Sequence, residues 1–188
     1  NKIIGNKVPG NLASAKAEKA WATYCVVGDK KIVYRTELVK KYEPYPVFKD
    51  EKFVPLYLPI IIDKDFKLLS FNEVFCIVDY QLDGSTLNIY NQYFKNPKGF
   101  SYSRKIEMNY LPYNLLKFKS AIHYVSTSII LKNYKFMKES PMKMYTFLAL
   151  PFGVLLFILL SVKRNRKRNI AKYVSWYERN IGIKLKNN

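Results

Sequence analysis

The chain is poor in the residues that reactive chemistry draws on. It has two cysteines, Cys25 and Cys76, and one histidine, His123, in 188 residues. Neither cysteine belongs to a C-x-x-C pair, so no zinc-ligand spacing exists. Both cysteines sit in strand-like runs, as small buried apolar residues or as one disulfide in an oxidising compartment. There is no G-x-x-x-x-G-K-[ST] loop, no G-x-G-x-x-G turn and no G-x-S-x-G elbow. A catalytic histidine needs an orienting partner and a nucleophile, and nothing near His123 in sequence supplies that set. His123 also lacks the C-x-x-C-H context of haem attachment. No cofactor and no metal site is expected. Despite many asparagines there is no N-x-Ser/Thr sequon, which argues against a glycosylated ectodomain. No apolar signal-peptide core follows Asn1, and a removed organelle-targeting leader is one expectation for such a start.

Acidic residues are scarce as well. Fourteen Asp and Glu stand against 32 Lys and Arg, for a formal net charge of +18. Such an excess points to nucleic acid, an anionic membrane face or acidic protein neighbours. Residues 163–188 carry nine of the cations and one Glu, directly after an apolar stretch, which favours lipid head groups. Aromatics interleaved with lysine in 90–105 match a stacking platform for single-stranded nucleic acid. Tyr and Lys are so common here that chance explains the match, and nucleic acid is not an expected partner.

What is abundant is aromatic: 16 Tyr and 12 Phe, a composition of ordered chains rather than disordered ones. Residues 1–22 read as an irregular arm with a short Ala-rich helix. A β-rich soluble domain is expected over 23–139. It would begin with a hairpin around Gly28-Asp29, where TYCVV and KIVYRT flank a turn pair suited to positive φ. Residues 42–60 hold Pro44, Pro46, Pro55 and Pro59 among aromatics, reading as an extended strap lying either on its own domain or on a neighbour. Alternation over 74–80, a second turn at Asp83-Gly84, and strict alternation of Phe100, Tyr102, Arg104, Ile106, Met108 and Tyr110 with polar residues read as strands. The β-branched run 122–131 reads as another. On the apolar face of the 100–110 strand, Arg104 must reach an edge, an acid or an aromatic ring.

Residues 145–162 carry no charge. Their length meets the lower range for crossing a bilayer core, and insertion of about a dozen large apolar side chains is worth on the order of −4 to −7 kcal/mol. A transmembrane helix is therefore expected over 140–168, with Ser140 as N-cap and Pro141 as first helical residue. Inside it, Pro151 would kink the helix and Gly153 would admit a neighbouring helix. Tyr145 would mark one membrane interface. Lys163, Arg164, Arg166, Lys167 and Arg168 would form a basic collar on lipid head groups, with cardiolipin a candidate. In the tail, 169–188, an apolar face of Ile170, Tyr173, Val174, Tyr177 and Ile181, with Trp176 nearby, reads as an interfacial helix.

The expected fold class is thus α+β and membrane-anchored: a small antiparallel β-rich domain, one transmembrane helix and a short basic amphipathic tail helix. By the positive-inside rule the tail faces the synthesis side. That is the matrix for a mitochondrial inner-membrane protein, or the cytoplasm for a bacterial plasma-membrane one. The expected role is a non-catalytic accessory subunit or assembly component of a mitochondrial inner-membrane complex, such as the respiratory chain or ATP synthase, with other subunits as partners. The alternatives are a bacterial envelope scaffold or sensor, and a membrane-tethered enzyme.

Overall fold

The computed structural model describes residues 7–10, 14–16, 30–42, 44–77, 84–85, 88–111 and 115–164. They are mainly helical, and the chain divides into two compact units. One unit comprises Asn1–Tyr45, Phe66–Leu87 and Arg168–Asn188; the other comprises Pro46–Asp65 and Asn88–Lys167.

In the first unit, strand β1 (Ser14–Ala15) pairs antiparallel with β2 (Leu68–Leu69), Ser14 opposite Leu69. Asn72 extends this seam by exchanging two 2.8 Å hydrogen bonds with the Val8 backbone. Helix α1 (Thr36–Val39) is a single turn with no buried residue.

Among its described residues the second unit is mainly helix after the strap that opens it. Its elements are α2 (Leu58–Ile62), α3 (Ile89–Lys95), α4 (Pro97–Tyr110), α5 (Leu115–Ile130), α6 (Phe136–Glu139), α7 (Lys143–Leu148) and α8 (Leu150–Arg164). Within this unit the prolyl strap lies on its own helix α4. The Glu51 carboxylate accepts the first-turn N–H groups of Lys98 and Gly99 at 2.8 and 2.7 Å. In return Asn96 Oδ1 accepts the N–H groups of Lys52 and Phe53 at 2.9 and 3.1 Å. Orphan donors at the helix start are thereby satisfied from outside the helix. Phe48 and Tyr57 both pack edge-on against Tyr102. Gly99 is required at the crossing, because a Cβ there would collide with the Phe53 carbonyl.

Helix α5 packs against α4 on one side and α8 on another. One core cluster joins Met108, Ala121, Tyr124, Val125 and Ala149; a second joins Tyr93, Phe100 and Leu160. The end of α5 is closed by a left-handed residue, Lys132 at φ 53°. The Asn133 N–H reaches Ser128 O and the Lys132 N–H reaches Ile129 O, the bonding of a Schellman cap.

The expected β-rich domain is overturned: among the described residues the only sheet has two strands of two residues each. The 100–110 run is helix α4. Its buried residues are Gly99, Phe100, Ser101, Ser103, Glu107 and Met108, a helical spacing in which polar side chains occupy inward positions. Apolar alternation therefore mimicked a strand while the true inward face was half polar. The 122–131 run forms the second half of α5 and its C-terminal turn. Two of its hydroxyls bond back to helix carbonyls, Thr127 to His123 O and Tyr124 O, Ser128 to Tyr124 O, and the run is packed against α4 and α8, so β-branched propensity yields to tertiary context. Residues 74–77 are exposed and form no strand. Of the expected hairpin, the second arm is described and is no strand: residues 31–35 have no regular structure and lead into α1 at Thr36. The first arm and its turn, the second turn's Asp83, and the tail helix lie outside the described residues.

The expected single-pass transmembrane helix is overturned too. No helix among the described residues is long and apolar enough to cross a membrane, which argues against a single-pass protein of the mitochondrial inner or bacterial plasma membrane. The cause is a break at Ala149, which splits the apolar run into six-residue α7 and fifteen-residue α8. Pro151 falls in the first turn of α8 and has no N–H to offer the Phe147 carbonyl, so the ladder loses that bond, while the Ala149 N–H reaches Tyr145 O and the Gly153 N–H reaches Ala149 O. Fifteen residues span about 22 Å, short of the roughly 30 Å of a hydrocarbon core. Ser140 does not cap the run as expected: α7 starts at Lys143, and Ser140 Oγ accepts the Met142 N–H at 3.1 Å and meets Thr146 Oγ1 at 2.6 Å.

Candidate functional site

Two features of the helical unit carry functional weight. One is a chain of polar side chains held between α3, α4 and α5. The other is the outward face of α8.

The polar chain runs through five residues. Arg104 on α4 donates to both Glu107 oxygens at 2.6 Å, one helical turn along. Ser120 on α5 places its hydroxyl 2.5 Å from Glu107 Oε2. The other Arg104 nitrogen donates to the Tyr93 hydroxyl at 3.3 Å, and that hydroxyl lies 2.9 Å from His123 Nδ1. The Tyr93 ring stacks on Phe100 and on the His123 ring. Burial first, then the positive charges of Arg104 and Lys119, pushes His123 down to about 3. The imidazole is therefore neutral, and its Nδ1 shares a single hydrogen with the Tyr93 hydroxyl. Burial pulls the Arg104 pKa down, but Glu107 and Tyr93 together outweigh it and the net shift is upward. Arg104 thus stays charged.

This arrangement satisfies itself rather than presenting a reactive atom. The Ser120 hydroxyl faces a carboxylate already engaged by arginine, and His123 is oriented toward a phenol, not toward a serine or thiol. Three inward atoms of this unit, Arg104 Nε, Ser103 Oγ and Ser126 Oγ, have no hydrogen-bond partner. Among the described residues no group of three or more His, Cys, Asp or Glu side chains could hold a metal ion. Sequence reading expected Arg104, on the apolar face of a strand, to reach an edge, an acid or an aromatic ring; from helix α4 it bonds the Glu107 carboxylate and the Tyr93 hydroxyl. That reading did not single out Tyr93, Glu107 or Ser120; the only local signal was the i, i+3 spacing of Arg104 and Glu107.

The second feature is apolar. On α8 only Gly153 and Leu160 are fully buried, with Leu156 and Phe157 partly so. Phe152, Val154, Leu155, Ile158, Leu159 and Val162 are each 44–56% exposed. Toward α7 this face runs into an open groove of about 490 Å³ lined by Leu115, Phe118, Tyr145 and Leu148. The Phe118 ring lies edge-on to both Tyr145 and Phe152, joining groove to face.

The residues expected to act in a membrane take other places here. Gly153 sits where α8 meets α5; a Cβ there would run into Val125 and crowd the Ile122 carbonyl. Pro151 lies in the first turn of α8. Lys163 Nζ lies 5.3 Å from the centre of the Tyr90 ring, and the Arg164 guanidinium 4.6 Å from that of Phe94. The end of α8 is thereby fastened to α3 by two cation–π contacts. Cys76 is exposed. Arg166, Lys167, Arg168, Tyr173, Trp176, Tyr177 and Cys25 lie outside the described residues. Comparison of the chain with family models, with curated proteins and with solved structures finds no match.

Proposed function

We propose that the chain is a non-catalytic accessory subunit or assembly component of a larger protein complex, docked through the outward face of α8. The observation that carries this reading is the half-exposed row Phe152, Val154, Leu155, Ile158, Leu159 and Val162. A helix that is apolar on all sides is one whose every face is meant to be covered, and contiguous apolar surface of this kind marks interaction sites. The polar chain around Arg104 supports the same reading. Its hydrogen bonds link side chains of α3, α4 and α5 to one another, which suits a device for holding three helices in register more than one for turning over a substrate.

The test is native isolation of the full chain followed by mass spectrometry of the intact assembly. A stoichiometric protein partner is the expected result. A chain that runs alone under native conditions overturns the role.

A further inference from the structure

Resting on that docking role, we infer that the occupant of the α8 face is an apolar helix of a different protein, with Asp or Glu residues at both of its ends. Leu148, Phe152, Leu155, Leu159 and Val162 follow one another at steps of four, three, four and three residues, and all are exposed. That alternation is the seam on which a second helix seats its side chains as knobs into holes. The break at Ala149 leaves the last four of these on one uninterrupted helix. A strand would match a period of two, which this face does not present.

Charge selects the partner's ends. No Asp or Glu occurs anywhere in 140–164, whereas Lys143 stands at the start of the seam and Lys163 and Arg164 at its finish. The nearby acids are already engaged: Glu139 with Lys105, Glu107 with Arg104, Glu51 with the start of α4. Stacking on Tyr90 holds Lys163 at the last turn of the seam, and a ring-stacked cation keeps N–H donors for a carboxylate. A second copy of this chain would bring the same cations to the same ends, on a body of net charge +18, and so meet repulsion.

Two synthetic helical peptides test this. They share one leucine heptad core and differ only in carrying Glu or Lys at both ends. Binding to the full chain is read by fluorescence anisotropy at low and physiological salt. The Glu-ended peptide should bind about tenfold tighter than the Lys-ended one, and salt should narrow the gap. Leu155→Asp and Leu159→Asp should each abolish binding while leaving the circular dichroism spectrum and urea midpoint unchanged. Equal binding of the two peptides, or binding of neither, overturns the inference. So does self-association relieved by Leu155→Asp, or uptake onto anionic phospholipid vesicles blocked by it. A native isolate without a partner sinks the subunit role; a native partner alongside equal peptide binding sinks only the acidic-ended helix.

Discussion

Glu107 is the residue on which the interior of the helical unit turns. Its carboxylate takes both contacts from Arg104 and one from Ser120, on side chains that are 19% (Arg104) and 10% (Glu107) exposed. Removing it would strand a buried guanidinium, so Glu107→Ala should lower the unfolding free energy by about 3–5 kcal/mol. Replacing both partners by apolar residues, Arg104→Met with Glu107→Leu, should cost less than the single change, because no charge is left unpaired. Urea denaturation measures both; a double variant weaker than the single would refute the pairing. His123 adds a pH dependence. Its folded pKa is about 3 against about 6.5 for the unfolded chain. Below pH 6.5 the unfolded chain takes up a proton that the folded one refuses, so stability is highest above that pH and falls as pH drops toward the folded value. Between pH 6.5 and 5, where carboxylates stay ionised, the slope should approach about 1.4 kcal/mol per pH unit. His123→Gln should flatten it; an unchanged slope would mean that the imidazole titrates freely. These polar positions were hidden in the sequence because inward Ser103 and Glu107 erased the helical period of 100–110 and left an apolar alternation in its place.

At the scale of elements, the packing of α8 on α5 depends on Gly153. A methyl group there meets the Val125 side chain and the Ile122 carbonyl, so one helix must retreat from the other. Gly153→Ala should destabilise by about 1–3 kcal/mol, the ordinary cost of overpacking, despite its better helix propensity. The urea midpoint checks this, and a stabilised variant would show that the two helices do not meet closely. That Gly153 serves helix packing was readable from its place within an apolar run; that the neighbour is α5 of the same chain was not. Likewise Pro151 was visible as a perturbing residue. Around it Ala149 keeps a helical hydrogen bond on either side, its N–H reaching Tyr145 O and its O receiving the Gly153 N–H, and the ladder lacks the one bond that a proline cannot donate.

Across the whole molecule, one side of α8 is packed and the other is open. Because the open side touches little of the fold, Leu155→Ser with Leu159→Ser should change folding stability by no more than about 0.5 kcal/mol per site yet strip any partner from the natively isolated assembly. Retention of the partner by this variant would place the docking surface elsewhere. The uncharged run 145–162, its basic flank, the scarcity of catalytic residue types and the adhesive prolyl strap were all determined by sequence alone, since composition and local charge need no partner to be read. Tertiary structure alone decided that the strap wraps its own α4 and that 100–110 and 122–131 are helices. Each of those outcomes depends on contacts between residues distant in the chain: Glu51 with Lys98, Ser120 with Glu107, Tyr93 with His123. Their energies exceed local propensity, and no local window contains both ends of any of them.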